Sequence, residues 1–175
     1  MDNEFVCKTA TVFDMEEKWN YEISSHKNKS NWIQWKNEAV ERVREGKSLS
    51  YYGVLNGKII TEATALFDKS GVQNSEFLVD ENTAYLCAFR TVRKYQGKGY
   101  FSRLFEFMLR DLKQRGYTKV TLGVEHSDLK NLLIYQKFGF NEYIKSAREV
   151  YPDGTVIDVD YYAMKINDGN KDDSV

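Results

Sequence analysis

Between Arg90 and Arg103 the chain carries Arg90, Arg93, Lys94, Lys98 and Arg103 with no acidic residue, and Gln96-Gly97-Lys98-Gly99 sits in their midst. Here a β-rich run gives way to a helix-patterned one, and such a junction can hold an anion. Glycines let the main chain approach a phosphate, and a helix start offers unsatisfied N–H groups with about half a positive charge. A Walker loop is excluded, because it needs Gly, four residues, then Gly-Lys-Ser/Thr, whereas Gly99 follows Lys98. The dinucleotide fingerprint G-x-G-x-x-G fits Gly97 and Gly99 and fails at Ser102. Two readings remain: several main-chain amides converging on one small anion, or a plain surface turn.

The rest of the composition narrows the chemistry. Net charge is −1 over 175 residues, so the whole molecule has no electrostatic case for nucleic acid, and the basic stretch is local. Cys7 and Cys87 are far apart and read as reduced thiols rather than a disulfide framework. His26 and His126 are the only histidines, and neither has neighbours at metal-ligand spacing, so no metal site is expected. The first ten residues lack a signal-peptide pattern and no apolar run approaches membrane-spanning length; a cytoplasmic protein that binds neither membrane nor nucleic acid is expected.

The elements that must position the glycine junction can be read from periodicity. "EFVCKTATVF" alternates as an opening strand, and Asp14 with Glu17 predicts a capped helix through "MEEKWNYEISSH". Asn31 with Gln34 predicts the start of a second helix that stops near Gly46. Asn56-Gly57 between two β-rich runs predicts a type I′ hairpin. After an irregular connection, "AYLCAFRTV" reads as the strand before the junction. Phe101, Leu104, Phe105, Met108 and Leu112 then mark one face of a helix ending at Gly116. "YTKVTLGVE" is a strand, Asp128 caps the short helix "LKNLLIYQKF", and two last strands flank "PDG". The pattern predicts an α/β fold, a single mixed, mostly antiparallel sheet flanked by helices, with one domain over 1–167 and a polar tail over 168–175.

"VRKYQGKGYFSRLFEFML" resembles the acetyl-CoA-binding motif of the GCN5-related N-acetyltransferase (GNAT) superfamily, Q/R-x-x-G-x-G/A. Gln96 to Gly99 match its first four positions, and Phe101 stands where Gly or Ala is common. "LKNLLIYQKFGF" is similar to the family's second signature, with Tyr135, Gly139 and Phe140 in place. The element order is also that of the family, so the likeness spans nearly the whole chain.

The resemblance implies an acyl-CoA N-acyltransferase fold and direct transfer of acetyl from acetyl-CoA, as co-substrate, to a primary amine of a small molecule or peptide. It implies Tyr135 as donor to the departing thiolate. It implies that main-chain amides from Gln96, Gly97, Lys98, Gly99, Tyr100 and Phe101 hold the diphosphate, with Phe89, Arg90, Thr91 and Asn131 along the pantetheine arm. Asp128 stands where many members have Asn, and its capping role already accounts for it. Many members place a glutamate base where Cys87 stands here. Glu125, Glu62 and His126 are candidates in its place, with Glu125 preferred; each also reads as an ordinary surface residue. The first two helices, the Tyr51-Tyr52 strand and the "YPDGT" hairpin are expected to build the amine pocket. Trp19, Trp32 and Trp35 recur at helical spacing, which favours core positions over pocket walls. A homodimer is compatible with the pattern. The competing class is a non-catalytic acyl-CoA-binding sensor or scaffold.

Overall fold

The computed structural model describes residues 4–167, so the predicted tail over 168–175 lies outside the described residues. Seven strands form one sheet in the order β1-β2-β3-β4-β5-β7-β6. They are β1 (Phe5–Thr9), β2 (Ser48–Leu55), β3 (Lys58–Leu66), β4 (Thr83–Thr91), β5 (Lys119–Glu125), β6 (Glu142–Val150) and β7 (Val156–Lys165). Four helices complete the fold: α1 (Val12–Ser25), α2 (Lys29–Arg44), α3 (Tyr100–Gln114) and α4 (Leu129–Phe138). All neighbouring strands are antiparallel except β4 and β5.

Successive side chains of a strand face opposite sides of the sheet, and Tyr51 and Tyr52 show what this does here. Tyr51 belongs to the core under α3, with Leu104, Phe105, Met108 and Leu112. Tyr52 belongs to the opposite core, with Met15 and Trp19 of α1 and Val40 of α2. Each of these fully buried aliphatic or aromatic side chains contributes roughly 1.5–3 kcal/mol by leaving water. The irregular segment after β3 is anchored by Val72, Leu78 and Val79, which pack on Tyr85, Val159 and Tyr161.

Two helix starts differ from the sequence reading. Thr11, not Asp14, is the N-cap of α1, and Asp14 is the N3 partner of a complete capping box. The hydroxyl-first form wins because the Thr11 side chain takes the Asp14 amide while the Asp14 carboxylate takes the Thr11 amide. Helix α2 begins at Lys29, so Asn31 lies inside the first turn, only 3% exposed. Asn56 and Gly57 both have positive φ, 49° and 76°, as a type I′ turn demands.

The feature that makes a site is an opening in the sheet. Strands β4 and β5 pair only from Thr83–Lys119 to Leu86–Leu122, yet β4 continues to Thr91 and β5 to Glu125. Against β3, Glu62 faces Arg90 while Thr64 faces Cys87, so β4 carries an extra residue, and Ala88 has φ 55°. A bulge of this kind bends its strand and leaves main-chain groups outside the ladder. On the β5 side, a Cβ at Gly123 would stand 2.7 Å from a Val159 methyl, so only glycine allows β7 this close.

Candidate active site

Helix α3 starts where the opened end of β4 stops, and its N-terminus faces a cleft of about 560 Å³. Gly97 and Gly99 have φ of 70° and 79°, the left-handed region, and Gly99 is the N-cap. A Cβ at either position would meet nothing within 4 Å, so the turn presents bare backbone to open space. No side chain caps α3, and its first turn has no acidic residue. The first amides of a helix have no intrahelical partner, so those at Gly99, Tyr100, Phe101 and Ser102 are available to an anion. The Gln96 carboxamide donates to the Thr91 carbonyl at 3.0 Å, which ties the turn to the end of β4. These residues fit the diphosphate of a coenzyme A thioester, whose acetyl group is activated for transfer.

Phe101 does not obstruct the cradle. Its ring packs at 5.1 Å from Phe89 and 5.7 Å from Phe138, continuing the core between α3 and α4. Phe89, Arg90, Thr91 and Asn131 all line the cleft, together with Gln96, Gly97, Gly99, Tyr100, Phe101 and Tyr135. Lys98 is exposed, with its ammonium 5.9 Å from the Tyr95 ring, and does not form the cleft wall. The Arg90 guanidinium is committed elsewhere: it pairs with Glu62 at 3.3 Å and lies over the rings of Trp19 and Trp32 at 5.2 and 4.8 Å.

Tyr135 stands where three spaces meet. It lines the cleft, the gap between β4 and β5, and a cavity of about 240 Å³ beyond it. Helix α4 fixes it: Asp128 accepts the Asn131 amide at 3.1 Å as N-cap, and Gly139 ends the helix at φ 114°. Burial, with the nearby Asp128 charge, pushes the Tyr135 phenol up to about 12. No protein group among the described residues takes a hydrogen bond from its hydroxyl. A phenol so placed is a free donor at any physiological pH.

Of the base candidates, Glu125 is exposed at the rim of the 240 Å³ cavity. Glu62 is 4% exposed and held between Lys18 at 3.5 Å and Arg90, an ion-pair role. His126 pairs with Asp160 at 2.8 Å and lines none of the cavities described here. The sequence reading missed Glu149. This residue of β6 lines the 240 Å³ cavity with Tyr135 and also a larger cavity of about 770 Å³ on the α1–α2 side. Its carboxylate accepts from the Tyr161 hydroxyl at 2.7 Å, which in turn accepts from Asn74 at 3.2 Å. Burial raises the Glu149 carboxyl above its ordinary value, against the lowering effect of the Tyr161 bond. The signal was faint: Ala147 and Glu149 share an inward face in a strand whose alternate residues are exposed.

The 770 Å³ cavity also bears on two other expectations. Trp19, Trp32 and Trp35 all line it, although they also pack against the core of α1 and α2. Helical spacing identifies an inward face but cannot tell a filled interior from a hollow one. The Tyr51-Tyr52 strand does contribute a wall, through Ser48, while the Tyr51 and Tyr52 side chains are buried and line none of it. Cys87, half-buried, lines this cavity and the gap, and burial raises its thiol to about 11.

A sheet opened between parallel strands, a bare-backbone cradle at a helix start and a buried tyrosine beyond it define an enzyme that works on a nucleotide thioester. The model of the Acetyltransferase (GNAT) family matches residues 9–140, and the chain belongs to that family. It is an acetyl-CoA-dependent N-acetyltransferase, with acetyl-CoA as co-substrate. Similar solved structures include ribosomal-protein-S18-alanine N-acetyltransferase from Escherichia coli, 19% identical with TM-score 0.64, covering 97% of this chain and 98% of that one. YncA from Salmonella typhimurium, solved with acetyl-CoA as its cofactor, is 14% identical with TM-score 0.63, covering 98% and 99%. NAA60 from Arabidopsis thaliana, in complex with a bisubstrate analogue, is 15% identical with TM-score 0.67, covering 94% and 100%. A search of curated proteins finds no match. No helix among the described residues is long and apolar enough to cross a membrane.

Proposed function

We propose that the chain moves acetyl from acetyl-CoA directly to a primary amine of a small molecule or peptide, with Tyr135 and Glu149 as its catalytic pair. The observation that carries this is that the two side chains line the same 240 Å³ cavity, between the cradle cleft and the 770 Å³ cavity. Glu149 and Tyr151 are the residues common to the walls of the two inner cavities. An amine arriving from the larger cavity meets Glu149 before it reaches Tyr135.

The division of labour follows from acidity. An alkylammonium with pKa about 10.4 is only ~0.1% neutral at pH 7.4, so a nearby carboxylate that takes its proton raises the reactive fraction. Glu149, lifted by burial, is better matched to that proton than a carboxylate of ordinary acidity would be. Giving the Tyr135 proton outright to an ordinary thiolate, pKa about 8.5, would run uphill by about 5 kcal/mol. Tyr135 therefore stabilises the leaving sulfur by donating a hydrogen bond. Main-chain groups freed by the β4 bulge at Ala88 and Phe89 stand beside it in the gap, where charge develops on the carbonyl oxygen.

A covalent relay through Cys87 is disfavoured, because a thiol at about 11 is only roughly 0.03% thiolate at pH 7.4. The test is thiol release from acetyl-CoA across an amine panel, paired with intact-mass analysis of enzyme mixed with acetyl-CoA alone. Amine-dependent release with an unmodified enzyme is expected. Tight binding with no release for any amine would favour the sensor reading instead.

A further inference from the structure

The 770 Å³ cavity has an uneven charge distribution that specifies more than an amine. Two arginines line it, and each has a counter-ion: Arg90 pairs with Glu62 at 3.3 Å, although its buried Nη1 has no acceptor, and Arg42 pairs with Glu38 at 3.1 Å. Two carboxylates line it, Glu149 and Asp153, and neither has a cationic partner. Asp153 is held by neutral donors, the Thr155 amide at 2.9 Å and the Asn28 carboxamide at 2.7 Å. The Thr155 bonds, with Asn28 and Asn31, pull its carboxyl down to about 2, so it is fully ionised.

The walls repeat the preference. All three tryptophans of the chain line this cavity. Trp35 stands nearly perpendicular to Trp32, at 80° and 5.6 Å, and to Tyr151, at 88° and 5.4 Å, forming a three-ring corner. Among the described residues a cation covers Trp32, namely Arg90, but none covers Trp35 or Tyr151. Aromatic rings without a cationic partner, next to an unpaired carboxylate, attract an organic cation. Asn31 adds an independent sign: it is 3% exposed, lines the cavity, and its side-chain oxygen has no donor. A buried acceptor in that state needs a donor, and a ligand N–H entering the cavity can supply one as a water can.

We propose that this cavity selects linear aliphatic amines with a second cationic nitrogen, diamines or polyamines. The reacting nitrogen lies at Glu149 and the distal one in the corner of Trp35, Tyr151 and Asp153. This rests on the acetyl-transfer reading and names its substrate class. A zwitterionic amino acid is disfavoured because both arginines already have counter-ions, and a peptide N-terminus would leave Asp153 unanswered. Asp153 lies four residues beyond Glu149, so their Cα atoms are at most ~14 Å apart, a span within reach of a short polyamine.

Tryptophan fluorescence of the purified full-length protein reports occupancy of this cavity directly. Titration with 1,4-diaminobutane or spermidine should perturb it at concentrations about tenfold below those needed with n-butylamine. The kcat/KM ratio of diamine to monoamine should exceed about ten and fall toward one in Asp153→Asn and Tyr151→Leu, with acetyl-CoA affinity confirming that each variant is folded. Equal binding and turnover of diamine and monoamine, preference for an N-terminal alanine peptide, or an intact ratio in Asp153→Asn would overturn the proposal. Selective diamine binding without thiol release would refute the catalytic reading while sparing the cavity's preference. Indiscriminate acetylation of amines would do the reverse.

Discussion

Tyr135 and Glu149 are both displaced from their ordinary acidity by burial, and in the proposed reaction the two displacements serve opposite tasks. The phenol at about 12 never ionises in the working range, so Tyr135→Phe removes a donor without changing charge. Steady-state kinetics should show kcat lower by about 10²-fold, with the dissociation constant for acetyl-CoA changed by less than about threefold. The Glu149 carboxyl, raised above its ordinary value, must ionise to act. Activity should therefore rise with pH through an acidic limb lying above the usual carboxylate range, and Glu149→Gln should lose that limb with about 10²-fold of kcat/KM. Tyr85, Cys87, Tyr135, Tyr151 and Tyr161 on the walls of its two cavities or bonded to it are neutral near pH 7. Glu125, Asp128, Asp153, Arg42 and Arg90 share those walls as charged groups, so loss of the limb in Glu149→Gln is what assigns it to Glu149. The stability sign runs the other way. A raised folded-state pKa means the fold prefers the protonated acid, so Glu149 is best tolerated below the unfolded pKa and costs stability as pH rises through the folded one. Glu149→Gln should melt higher than wild type at pH 8, and the gap should close toward pH 4.

At the scale of elements, the start of α3 and the Arg90 network each make a separable prediction. Gly99→Glu puts bulk and a negative charge where amides converge, at a φ of 79° that costs a non-glycine residue roughly 1–2 kcal/mol. Calorimetry should find acetyl-CoA affinity reduced by more than about 10²-fold, far beyond what that strain explains. Glu62→Gln leaves Arg90 without its counter-ion, and urea unfolding should show a loss of about 3 kcal/mol. The cradle was legible in the sequence because it is local: glycine spacing, an uncapped helix start and a basic turn lie within ten residues. The placement of Tyr135 on a short helix was legible for the same reason, since the Asp128 cap and the Gly139 stop bracket it. Glu149 was not legible, since its role depends on where β6 sits relative to the β4–β5 opening. Nor could spacing place the tryptophans, which satisfy the same helical face whether the space beyond is filled or hollow. The α1 boundary was misread because Asp14 suits both the cap and the N3 position, and only Thr11 decides between them.

In the proposed reaction the whole molecule works as two half-sites joined at the opened sheet, one for the nucleotide thioester under α3 and α4, one for the amine under α1 and α2. Binding to the folded state alone should stabilise it, so acetyl-CoA at about a hundred times its Kd should add about 2.7 kcal/mol. For a domain of this size that is a rise in Tm of roughly 5–10 °C, which thermal melts should record for wild type and not for Gly99→Glu. The order of elements along the chain and the mixed sheet were readable from hairpin signals and alternating elements, whereas the bulge at Ala88 that opens the sheet carries no glycine or proline to announce it. Initial rates with acetyl-CoA and 1,4-diaminobutane varied together test the joined half-sites most directly. Intersecting double-reciprocal lines, with free CoA and acetylated amine formed one for one, are the expected result. Parallel lines with an acetyl group retained on Cys87 would contradict it.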